Sequence, residues 1–164
     1  MATITMATLT GATSPRRDSF VQSYMAVKEI DLAEVATKKG SAIAASDVIE
    51  ALNVPAGTLV KFAGVQVVEP MTGTSTDATI DVGITGGDVD QWVDGFDLDG
   101  ASAGDFAAVA AGASTPTMVS AQDTIDVLVA TQTGTITGGK IRVFAEMLNV
   151  SNEKKEPKIA VPGS

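Results

Sequence analysis

Seven residues near the end of the chain, Gly134-Thr135-Ile136-Thr137-Gly138-Gly139-Lys140, satisfy G-x-x-x-x-G-K, the spacing of a loop whose amides and lysine cradle phosphate. Their context argues against that chemistry. Ile141 stands where a Ser or Thr would reach Mg²⁺, and the residues after it alternate like a strand instead of opening a helix toward the phosphate. The run is expected to be a hairpin turn. Seven of the thirteen Asp lie between positions 81 and 105. Hard cations such as Ca²⁺ take about six to eight oxygens, so Asp88, Asp90, Asp94, Asp97 and Asp99 are weak metal candidates. The register of an EF-hand fails, because placing Asp97, Asp99 and Gly100 at its third, fifth and sixth positions puts Gly95 first and Phe106 twelfth. Asp88 and Asp90 lie two apart on the strand expected over GDVDQWV, so they point the same way and could share an ion. A solvated acidic rim built on Asp-Gly turns is the simpler expectation, with no metal firmly assigned and no cofactor.

Two further groupings could carry chemistry. Trp92, between Asp90 and Asp94, could stack on a sugar, although a lone Trp is more often a core residue. Lys39-Gly40-Ser41 offers a Ser-Lys pair, but nothing around it supplies an oxyanion hole or a cleft, and a helix end explains it better. The chain has no histidine and no cysteine. That removes the commonest acid-base residue, thiolate metal sites, disulfides and a cysteine nucleophile. A non-enzyme is expected.

The elements that would position these residues are mostly strands. From Gly57 onward GTLVKFAGVQVVE, ATIDVGI, GDVDQWV, TIDVLVAT and KIRVFAEML are alternating or β-branched runs separated by Gly, Thr, Pro and Asp clusters. In the last run Ile141, Val143 and Ala145 share one face, with Lys140, Arg142 and Glu146 on the other. Asp94-Gly95, Asp99-Gly100, Gly86-Gly87 and Gly138-Gly139 read as turn dipeptides. Upstream, Ile30 and Leu32 lead as a strand into LAEVATKK, where Asp31, Glu34, Lys38, Lys39 and Gly40 mark a short helix. Asp47 and Glu50 repeat the same capping spacing in DVIEALN, which predicts a turn or two of helix before Pro55, and DFAAVAAG predicts another between Asp105 and Gly112. The fold class is therefore mainly β: an antiparallel β-sandwich, jelly-roll-like or barrel body with one or two short helices.

With roughly 150 residues per domain as the usual size, the 164 residues make one body with tails. Residues 1–24 read as an extended N-terminal arm, 25–150 as the β-rich body and 151–164 as an extended C-terminal tail. Five of the first thirteen residues are Thr, and Ser14-Pro15-Arg16-Arg17 breaks any element. Ile4, Met6, Leu9, Arg16, Arg17, Phe20 and Tyr24 are the arm residues expected to bind a partner. The start lacks the basic and apolar regions of a signal peptide and the amphipathic period of a transit peptide, and no run is long enough to span a membrane.

The net charge is -9, from 20 acidic and 11 basic residues. This argues against binding the phosphate backbone of nucleic acid, which needs clustered Lys and Arg, and no nucleic-acid partner is expected. The distribution is more telling: residues 1–61 hold six basic and six acidic side chains, residues 62–139 hold eleven acids and no Lys or Arg, and residues 140–164 hold five basic and three acidic. A stretch of 78 residues without a cation leaves its carboxylates to solvent, to bound cations, or to another segment or chain.

Taken in order, the Thr-rich arm, VKEIDLAEVATKKGSAIAASDVIEAL, VPAGTLVKFAGVQVVE, ATIDVGITGGDVDQWVDGFDL and TGTITGGKIRVFAEML resemble the small capsid decoration, or cement, proteins and related minor virion proteins of tailed bacteriophages. The likeness spans about residues 25–150 and rests on rhythm and composition. It implies a non-enzymatic β-sandwich or jelly-roll-like body, commonly a homotrimer, seated on the outer surface of the virion. Its partner would be the major capsid protein, with extended termini clamping neighbours. It carries over no catalytic residues. A three-fold assembly would place the acidic blocks at its rim rather than on its axis. The alternatives are another phage structural component, such as a tail or head-tail protein, or a calcium-dependent carbohydrate-binding module or adhesin using the Asp block and Trp92.

Overall fold

A computed structural model describes residues 2–5, 23–84, 86–108 and 116–150. The first strand, β1 (Thr3–Thr5), pairs in parallel with β3 (Val48–Val54), matching Ile4 to Ile49. β2 (Ser23–Asp31) runs straight into helix α1 (Leu32–Lys39). The Asp31 carboxylate accepts from the Ala33 and Glu34 amides at 2.9 and 3.3 Å. Gly40, at φ 76°, closes the last turn by donating to Ala36 and Thr37. Leu32 and Val35 bury the helix against the body, as the capping residues predict. The remaining elements are all strands: β4 (Thr58–Gly73), β5 (Asp77–Gly83), β6 (Val93–Asp97), β7 (Phe106–Ala107), β8 (Thr117–Val119), β9 (Asp123–Thr133) and β10 (Ile136–Asn149).

These strands form a β-sandwich. One sheet has the order β1-β3-β9-β5-β6 and the other β2-β10-β4-β7, with β8 also paired to β4. Every strand pair except β1-β3 is antiparallel. The alternation read in the last strand holds. Ile141, Val143, Ala145 and Met147 are buried, facing Val60, Val65, Ile125, Val127 and Trp92 in a single core, while Lys140, Arg142 and Glu146 keep partial contact with water.

Several local readings need correction. DVIEALN is strand β3, buried on both faces; Asp47 turns away from capping because its carboxylate is occupied by Lys39 and by amides from other segments. DFAAVAAG does not open a helix. The Asp105 carboxylate accepts the amide of Ser102 behind it at 2.8 Å, and Phe106–Ala107 pairs with β4 as a strand; residues 109–115 lie outside the described part. GDVDQWV is a turn up to Val93, where β6 begins. Gly95 and Gly139 sit inside strands at positive φ, 65° and 114°, beside register shifts, so they are bulges rather than turns. The last hairpin turns at Gly134 instead.

Candidate functional site

The phosphate-loop lookalike is that hairpin, and Lys140 at its end is ion-paired to Glu69 on β4 at 2.6 Å. Lys39-Gly40-Ser41 is the helix end, and the Lys39 ammonium is bound to Asp47 and to the Ala42 carbonyl. Trp92 has no exposed surface, so it cannot stack on a sugar.

The five aspartates of the weak metal set are spread out. Asp88 and Asp90 meet on the 86–92 turn, where a hydrogen bond with Asp90 and its like charge raise the Asp88 carboxyl above its ordinary value. Asp94 and Asp97 lie on β6, and Asp99 in the bend after it. Among the described residues, no three Asp or Glu come together as a cation would require. Several acids of the cation-free stretch have another occupation: they hold backbone amides and hydroxyls. Asp81, buried, accepts from Gly95 at 2.7 Å, Asp97 from Gly100 at 2.9 Å, Asp123 from Thr124 at 2.8 Å, and Asp77 from the Thr131 hydroxyl at 3.2 Å. Burial, opposed by that amide and reinforced by the charges of Asp94 and Asp90, raises the Asp81 carboxyl. An open groove of about 530 Å³ runs between Phe96, Asp97, Asp105 and Phe106, and Phe106 is 67% exposed on its rim.

Of the arm candidates, Ile4 is buried on β1 against the chain's own core. Tyr24 is half-buried on β2, and burial raises its phenol pKa. Met6, Leu9, Arg16, Arg17 and Phe20 lie outside the described residues, as does the tail 151–164.

What the sequence reading missed is the division of labour between the two sheets. The β1-β3-β9-β5-β6 sheet carries seven acids and no base: Glu50, Asp77, Asp81, Asp94, Asp97, Asp123 and Asp126. The β2-β10-β4 sheet carries four bases and four acids and is neutral. Three cross-strand ion pairs knit it together: Lys61 to Glu146 at 2.5 Å, Lys140 to Glu69, and Arg142 to Glu29 at 3.1 Å. Its outer face is also the apolar one. Met25 and Val27 on β2 are 53% and 55% exposed, and Met118 on β8 is 51% exposed. Phe144 lies over Gly64, where a Cβ would come within 2.8 Å of its ring, and meets Phe62 edge to face at 6.5 Å. The signal was present, since β2 and β10 carry apolar residues at both parities, but only the sheet order shows that those positions share one surface.

The two sheets thus present faces of different character, one acidic and one carrying cross-strand ion pairs and exposed apolar side chains. Among the described residues no helix is long and apolar enough to cross a membrane. No protein-family model matches the chain, and no curated protein matches it in sequence. Its fold is shared with chains of solved phage capsids. A chain of the cyanophage Pam1 capsid asymmetric unit matches with a TM-score of 0.57 at 17% identity, over 82% of this chain and 90% of that one. A chain of the capsid of Ralstonia phage GP4 matches with a TM-score of 0.58 at 17% identity, over 90% and 99%. A chain of the acid-stable capsid of Helicobacter pylori bacteriophage KHP30 matches with a TM-score of 0.53 at 14% identity, over 80% and 92%.

Proposed function

We propose that this chain is a non-enzymatic structural protein of a phage virion, a decoration protein that binds the outer surface of the capsid and cements neighbouring capsomers. The observation that carries this reading is that three phage capsids each contain a chain of this fold, nearly all of which is matched by this one. Each of those chains is thus about as long as this one. The β-sandwich supports it by offering two broad faces of different character. The major capsid protein is the proposed partner, and a homotrimer the proposed assembly. Cementing then works by added buried area between capsomers, together with ordering of the arm and the tail on their neighbours. The carbohydrate-binding alternative loses its aromatic platform with the burial of Trp92.

The test is rebinding of the purified full chain to capsid shells stripped of it, followed by heating of the shells. Binding, with a higher temperature of shell rupture, is the expected result; shells that neither bind it nor gain stability would defeat the reading. The arm is tested by replacing Met6, Leu9 and Phe20 with Ser, because deleting residues 1–24 would also remove β1 and the start of β2. Weakened shell binding by a variant that melts normally is expected.

A further inference from the structure

We infer that the outer face of the neutral sheet is where a second copy of this chain docks. The inference deepens the proposed homo-oligomer by naming its contact surface. In antiparallel pairs the matched residues share a face. The register therefore lays Leu148, Leu59 and Met118 in one row across β10, β4 and β8, Met25 and Phe62 on either side of Glu146 in the next, and Val27 beside Phe144 in the one after. Such a patch, with Met25, Val27 and Met118 exposed and Phe144, Phe62, Leu59 and Leu148 partly so, on an otherwise charged body marks a contact surface.

Charge identifies the occupant. The described residues carry six Lys and Arg against seventeen Asp and Glu, so two copies repel each other over most of their surfaces. The opposite sheet is the worst approach, with seven acids and no base. The other sheet's outer face is the best approach: its bases Lys61, Lys140 and Arg142 are paired to Glu146, Glu69 and Glu29, which leaves only Asp31, the cap of α1, so it can meet its own copy with little uncompensated charge. A partner of opposite sign would be drawn to the acidic sheet instead. The apolar face is thus left for a copy that shares the same surplus.

This geometry dictates an unusual salt dependence. The contact is apolar and the bodies are like-charged, so raising the salt screens the repulsion and tightens self-association, the reverse of docking between opposite charges.

The experiment uses the full chain in sedimentation velocity over a concentration series, at salt rising from about 0.05 to about 0.5 M. Self-association that strengthens with salt is expected, and about tenfold weaker association for Val27→Glu and for Met118→Glu, with circular dichroism unchanged at these exposed positions. The chain has no cysteine, so Val27→Cys supplies a single thiol. Its alkylation should slow as concentration rises through the assembly range, while that of Asp99→Cys should not. A monomeric wild type, association weakened by salt, or Val27→Glu assembling like the wild type would each overturn the inference. Thiol protection that persists at the lowest concentration would mean that the chain's own arm or tail covers the face, and would overturn it as well. Val27→Glu that self-associates normally but no longer binds shells would transfer the face to the capsid protein, leaving the proposed function intact. A wild type that self-associates through this face but ignores shells would do the opposite.

Discussion

The Asp47 carboxylate joins three separate segments of the chain. Its two oxygens take the Ala2 amide at 3.2 Å, the Ala44 amide at 2.8 Å and the Lys39 ammonium, tying the N-terminus to the loop before β3 and to the end of α1. The Lys39 and Asp47 side chains are 13% and 3% exposed, so cutting the pair strands a cation in a poorly hydrated place. Asp47→Ala is expected to cost about 3 kcal/mol in urea unfolding, and a loss below about 1 kcal/mol would contradict this assignment. Burial opposes ionisation of Asp47, but the ammonium and amides outweigh it and hold its carboxyl below the ordinary value. A depressed carboxyl stabilises the fold above the ordinary carboxylate range near pH 4, and that contribution fades as pH falls through the lowered value. Asp81 works in the opposite sense. Its raised carboxyl favours the folded state while protonated, and the fold loses stability as pH climbs from the ordinary carboxylate range through the raised value. Asp81→Asn keeps the oxygen that receives the Gly95 amide and removes the charge. Its melting temperature is therefore expected to exceed that of the wild type at pH 7, with the gap closing in acid; melts between about pH 3 and 7 decide.

At the scale of elements, the contrast between α1 and β3 shows how much was legible. Both begin with an acid followed three residues on by Glu, and only one is a helix. In LAEVATKK the apolar residues Leu32 and Val35 fall on one side, and Gly40 is free to take the left-handed turn. In DVIEALNV every position but Glu50 and Asn53 is buried, which a two-sheet core demands of a central strand and a short surface helix cannot provide. Local capping signals thus lost to burial, and the fate of Asp47 depended on Lys39 and Ala2, partners that spacing alone does not reveal. The strands β4, β5, β9 and β10 were legible because the period of two is physical and survives context, whereas the alternation of GDVDQWV belongs to a turn that leads into β6. The bulges were not legible, since Gly95 and Gly139 look the same in a turn as in a strand. The cap itself is testable: Asp31→Ala should destabilise the protein by about 1 kcal/mol, read as a shift in the urea midpoint at constant slope. A change in slope would mean that α1 had detached from the body.

Across the whole molecule, the acidic surplus written along residues 62–139 becomes a surface property only when the chain is folded, because β5, β6 and β9 all enter the same sheet. The bases of the strands are sorted with equal strictness onto the other one. On the proposed function, a capsid partner would meet a sheet from which Glu50, Asp77, Asp94, Asp97 and Asp123 reach solvent, and such a field acts mainly on the rate of encounter. Replacing Asp77, Asp97 and Asp123 with Asn leaves oxygens to accept from Thr131, Gly100 and Thr124, so the fold should hold. The triple variant is expected to bind stripped shells about tenfold more slowly at low salt, with little change in dissociation and with the difference vanishing at high salt. The same substitutions should tighten self-association, because they lower the repulsion between copies. Measuring both reactions on one sample separates the two sheets: equal shell-binding rates for variant and wild type at low salt would mean that the acidic sheet does not face the capsid.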